Sequence, residues 1–82
     1  MLNIKWTRED PKWISETMAF WRADLGKDYT IRARKYPDGL WHWELRYRGN
    51  VVRSRFNIRT EGAAKSQAVR ALARAAHRRG DY

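Results

Sequence analysis

The chain has 82 residues with five Trp, four Tyr, two Phe and no Cys, and its formal net charge is +9. That is room for one small domain whose core depends on large aromatic side chains, and the absence of cysteine excludes a disulfide framework, a thiolate metal site and a thiol nucleophile. No apolar run approaches the ~20 residues of a membrane-spanning helix, and the N-terminal Met-Leu-Asn-Ile-Lys-Trp reads as no signal peptide, so a cytoplasmic protein with no membrane partner is expected.

Residues 1–18 form an edge strand or loop segment: Ile4 and Trp6 alternate with Lys5, and Thr7-Arg-Glu-Asp-Pro11 interrupts the run. Residues 8–17 read as loop or a short helical turn, with Thr7 or Asp10 as a cap and Pro11 at a first helical position. Ala19, Trp21, Ala23 and Leu25 alternate with Arg22 and Asp24, and Gly26-Lys27-Asp28 follows as a turn. A hairpin of 19–25 against 29–36 accounts for both runs better than one long helix.

In 29–36, Tyr29, Ile31 and Ala33 face one way and Thr30, Arg32 and Arg34 the other. Pro37-Asp38-Gly39 is a turn. Trp41, Trp43, Leu45 and Tyr47 form an aromatic stripe whose alternation with polar residues places it in the core, and Gly49-Asn50 closes that strand. Residues 51–58 read as the next strand, with Val52, Phe56 and Ile58 inward and Arg53, Arg55 and Asn57 outward. Connections this short imply an antiparallel meander over 19–58.

Thr60 caps a helix over 60–79, Glu61 suits its first turn, and Gly80 ends it. Ala64, Ala68, Val69, Leu72, Ala73, Ala75 and Ala76 share an apolar arc, and Arg70, Arg74 and Arg78 form an i,i+4 ladder on the opposite side. The fold class is therefore α+β: a three- to four-stranded antiparallel β-meander with one C-terminal α-helix packed on one face.

The charge is unevenly spread. Residues 1–29 are neutral overall, 30–59 carry a net +6 and 60–82 a net +3, and thirteen of the eighteen cations are arginine. The guanidinium fork suits phosphate and carboxylate. Arg32 and Arg34, Arg46 and Arg48, and Arg53 and Arg55 are i,i+2 pairs that each fall on one face of a strand, opposite the helix. Arg32, Arg34, Arg46 and Arg53 form the centre of a nucleic-acid-binding face, with Arg48 and Arg55 at its rim. Arg59, Arg70, Arg74 and Arg78 are candidate secondary phosphate contacts, the helix ladder being more simply a solvated face.

Catalytic patterns are missing. No Walker loop, Gly-x-Gly-x-x-Gly, HExxH or serine elbow occurs around Ser15, Ser54 or Ser66. His42 and His77 lie on different elements, and His42 beside Glu44 is an i,i+2 pair that chance supplies in any polar face. A non-enzyme without metal or cofactor is expected.

Tyr29-Thr-Ile-Arg-Ala-Arg34, then Asp38-Gly39-x-Trp41-x-Trp43, then Arg55-Phe56-x-x-x-Thr60 leading to Ala64 and Ala68, carry a resemblance to a known family. Over residues 29–76 the chain resembles the arm-type DNA-binding module at the N-terminus of phage integrases, a three-stranded sheet packed on one helix. The resemblance implies a phage-like DNA-binding protein in which Arg32, Arg34, Arg46 and Arg53 face a major groove. Residues 1–28 have no counterpart in that module, and strand cleavage is not implied.

The expected function is binding of duplex DNA, with RNA second. The competing reading is a small interaction module, an inhibitor or adaptor, that docks an acidic protein through the basic face or through Trp6 and Trp13. A homodimer through an open sheet edge is compatible with both.

Overall fold

The computed structural model describes residues 4–9 and 20–80. Trp13 and most of the ambiguous 8–17 segment lie outside them. Five strands form one antiparallel sheet in sequential order: β1 (Thr7–Glu9), β2 (Phe20–Leu25), β3 (Tyr29–Lys35), β4 (Trp41–Tyr47) and β5 (Asn50–Ile58). One helix, α1 (Glu61–Arg78), follows. The α+β meander is as expected, with one strand more: β1 pairs with β2 through Thr7↔Arg22 and Glu9↔Phe20. The hairpin at 19–25 and 29–36 is present as β2–β3, with Trp21 opposite Ala33 and Ala23 opposite Ile31.

The core lies between the sheet and α1. Ala23, Tyr29, Ile31, Ala33, Trp43, Leu45 and Ile58 meet Ala64, Ala68, Ala71, Leu72 and Ala76 there. Alanine on the helix side lets the two backbones approach closely, while the sheet's larger side chains fill the layer. Trp43 is 4% exposed and its indole N–H donates to Gln67 Oε1 at 3.0 Å. Trp41 is half-buried at the margin of the same layer, so the tryptophan stripe does lie under the helix.

Helix α1 starts where Thr60 Oγ1 accepts from the Ala63 N–H at 3.1 Å. Glu61, next to the cap, accepts from the Trp21 indole N–H at 2.9 Å and faces Lys65 Nζ at 3.6 Å. Lys65 in turn sits 3.6 Å over the Trp21 ring and 5.5 Å from that of Trp6. Trp6 thereby closes the β1–β2 side of the core. Among the described residues, no helix is long and apolar enough to cross a membrane.

Helix α1 lies over β3 and β4 and touches β5 only sparingly. Strand β5 is thus an edge strand left standing away from the helix, and it departs from the expected alternation. Trp41 pairs with Ile58 but Trp43 pairs with Arg55, and Leu45 pairs with Arg53 but Arg46 pairs with Val51. Each step inserts one extra residue into β5, a β-bulge. Asn57 sits at the first bulge with φ 62, in the left-handed region. A one-residue slip moves every following side chain to the other face.

Candidate nucleic-acid interface

The bulges overturn the expected placement of Arg53 and Arg55. Residues directly opposite in a sheet point to the same side. Arg53 is opposite Leu45 and Arg55 opposite Trp43, both buried under α1. The two arginines therefore project from the helix side of β5, not from the open face with Arg32 and Arg34. Phe56 and Val52 were expected inward, yet they are 56% and 48% exposed.

Arg48 is displaced for a different reason. It lies beyond the end of β4, at φ 52, followed by Gly49 at φ 84. Two successive positive φ values between paired Tyr47 and Asn50 describe a type I′ hairpin turn, a twist suited to the flanking strands. Arg48 is therefore a turn residue, held 3.4 Å from Asp28 and 5.2 Å over the Tyr47 ring. The loop is Arg48-Gly49 and not Gly49-Asn50.

The helix ladder is also better placed than expected. Four residues make slightly more than a turn, so an i,i+4 row precesses by about 40° at each step. It starts away from the core at Arg70 and winds toward β5. Two adjoining clefts of about 400 and 350 Å³ separate α1 from β5. Arg53, Arg74, Arg78 and Arg79 line the first, and Arg53, Arg55, Arg70 and Arg74 line the second. Arg53 and Arg74 are common to both. The floor is Leu45, Trp43 and Ala71, with Gln67 fixed by its bond to Trp43. Arg59 is exposed in the link between β5 and α1 and is not a lining residue of either cleft.

The two arginine surfaces differ in their partners. On the open face, Arg22 lies 3.6 Å from Glu9 and 3.4 Å from Asp24, and Arg46 lies 3.3 Å from Glu44. Arg32 is opposite Glu44 in register, and Arg32 and Arg34 lie 5.4 and 5.5 Å over the Phe20 ring. Burial, reinforced by Arg46, lowers the Arg32 pKa, although it remains a cation. Its Nε is buried without a hydrogen-bond partner. This face is close to charge balance. In the groove, by contrast, Arg53, Arg55, Arg70, Arg74, Arg78 and Arg79 make no ion pair or side-chain hydrogen bond among the described residues. Arg79 lies 3.9 Å over the Tyr47 ring.

The open face also carries a histidine. His42 is 8% exposed, stacked on Phe56 at 4.1 Å. Burial lowers its pKa below 6.5, with Arg34 acting in the same direction and Glu44 against it. Protonation then favours the unfolded chain, which binds more protons between the folded pKa and 6.5, so stability rises with pH across that window. Acidification below about pH 6.5 is expected to destabilise the protein. Urea melts at pH 7.5 and 5 check this: His42→Gln should lose less stability than the unsubstituted chain over that interval, and equal losses would contradict it.

Sequence reasoning missed Arg79 as a site residue, because a cation at a helix end is already explained by the helix dipole. Gln67 and Phe56 carried no signal of their own. Asn57 did, since asparagine is enriched in the left-handed region that bulges use. No family model, curated protein or solved structure matches this chain.

Proposed function

We propose that the protein binds nucleic acid, duplex DNA first, through the groove between β5 and α1. The observation that carries this reading is the convergence of Arg53 and Arg55 with Arg70, Arg74, Arg78 and Arg79, with no acidic partner among the described residues. Cations held this close repel one another and favour an incoming polyanion. Their spacing suits a repeating one. The helix row advances about 6 Å per step and the strand pair about 7 Å, comparable with successive phosphates along one strand. Phosphate contacts of this kind set affinity and position and carry no sequence information. The resemblance to the arm-type module favours the same ligand class, although it implies contact through the open face. Arg32, Arg34 and Arg46 are then flanking cations.

An acidic protein laid in the same groove is the second reading, favoured by exposed Val52, which lines it. A salt titration separates the two. Six phosphate contacts give a slope of log K against log salt of about −5, and about a thousandfold loss of affinity between about 50 and 200 mM salt. A slope shallower than about −2, or no binding to duplex DNA at low salt, would count against the nucleic-acid reading.

A further inference from the structure

On the open face, next to β5, three rings cluster, with Tyr36 beside a stacked pair and tilted 36° to His42 at 5.8 Å. His42 and Phe56 have centroids 4.1 Å apart and planes 16° from parallel. Tyr36 and Phe56 are 6.3 Å apart and 21° from parallel. His42 is the buried base of the stack, and Phe56, 56% exposed, is its outer surface. We infer that Tyr36, His42 and Phe56 form a seat on which an unpaired nucleobase of the bound nucleic acid stacks. This rests on the nucleic-acid reading and adds the form of the ligand.

The phase of β5 supports the seat. Unbroken alternation back from buried Ile58 would turn Phe56 into the core. The bulge at Asn57, with φ 62, aims it at solvent instead. Bulges of this kind re-aim a side chain at a particular place in a sheet, and departures from local rules collect at functional positions. The stack's geometry also selects its ligand. Near-parallel rings leave one flat π surface outward, which suits another flat ring. Arg34 is opposite His42 in register, with its guanidinium held over Phe20. The guanidinium is thus held toward β2, away from Phe56, yet its charge still acts on His42, which favours an occupant that carries negative charge. Nucleotides combine a flat ring with a phosphate. Paired bases offer only their edges in a duplex groove, so the occupant is a base of a single strand, a tail or a flipped position.

The test is fluorescence anisotropy of the full chain with a blunt duplex and with a single-stranded oligothymidylate. Phe56→Ala is expected to weaken single-strand binding about tenfold or more and to leave blunt-duplex binding within about twofold. Phe56→Trp, which keeps the flat surface, should retain single-strand binding. Thermal melts establish that both variants are folded, as an exposed position should allow. Equal single-strand affinity of Phe56→Ala and the unsubstituted chain overturns the seat, as does equal weakening on both ligands. If Phe56→Ala loses single-strand binding while groove variants lose nothing, the groove reading fails and the seat stands. If neither ligand binds the unsubstituted chain, both fall.

Discussion

Neutralising two groove arginines together, Arg53→Gln with Arg74→Gln, is expected to weaken duplex binding about fiftyfold near 0.1 M salt. The slope of log K against log salt should flatten by about two. Each lost phosphate contact removes about 0.9 from the slope, a factor of about eight at that salt concentration. These two residues are chosen because both clefts share them. They are exposed and make no ion pair among the described residues, so the fold should survive. The matched control is Arg34→Gln with Arg46→Gln on the open face. Arg46 already faces Glu44 and Arg34 sits over Phe20, so their removal should cost duplex binding less than about threefold. Filter binding or anisotropy across a salt series gives both numbers. Equal losses from the two pairs would place the DNA on neither surface in particular, and a larger loss from the open-face pair would return the site to the sheet's open side.

Trp43→Ala is expected to remove most of the protein's stability. A domain of this length holds roughly 4–12 kcal/mol in total, and truncating a buried aromatic to alanine costs about 3–5 kcal/mol. The facing helix surface cannot compensate. Ala64, Ala68 and Ala71 have no length with which to fill the space, and Gln67 loses the donor that orients it. Trp43→Phe keeps much of the buried apolar surface and should cost less, although it too loses the indole hydrogen bond to Gln67, about 1 kcal/mol. Circular dichroism in a urea titration measures both. A loss under about 1 kcal/mol for Trp43→Ala would mean that α1 does not rest on this side chain. Because Trp43 also floors the groove, the alanine variant is a test of stability only, and binding should be read from the arginine variants.

Most of the fold was legible because hydrophobic period and turn chemistry agree along 20–47 and 60–78. The stripe Trp41, Trp43, Leu45 and Tyr47, the Pro37-Asp38-Gly39 turn and the Thr60 cap each point to one local structure. Strand β1 was harder to read: three residues give too short a period to distinguish pairing from loop. In β5 the pattern misled. Val52, Phe56 and Ile58 alternate as a core face would, but two inserted residues reverse the phase in between. A bulge is a matter of register against β4, and no period measured along β5 alone contains it. Two consequences followed for the site. Arg53 and Arg55 changed sides and met the helix ladder, so a row taken for a solvated face became one wall of a groove. Arg48 fell into a turn because Arg-Gly, unlike Asn-Gly, gives little warning of a left-handed first turn residue. The chemistry, an arginine surface for an anion, was visible in composition; its location was not.

The bulges in β5 have one more consequence, for self-association. An edge strand of nine residues is ordinarily a template on which another chain can add, since its outward N–H and C=O groups repeat at regular intervals. Two insertions interrupt that repeat within one strand. The same insertions leave Arg53 and Arg55 beside the edge, where a second copy paired antiparallel would bring like charges together. The opposite edge, β1, is only three residues long. The sheet is thus guarded on both sides against open-ended growth into fibrils, and the irregularity that builds the groove also keeps a basic, aromatic-rich chain from polymerising through its most exposed strand.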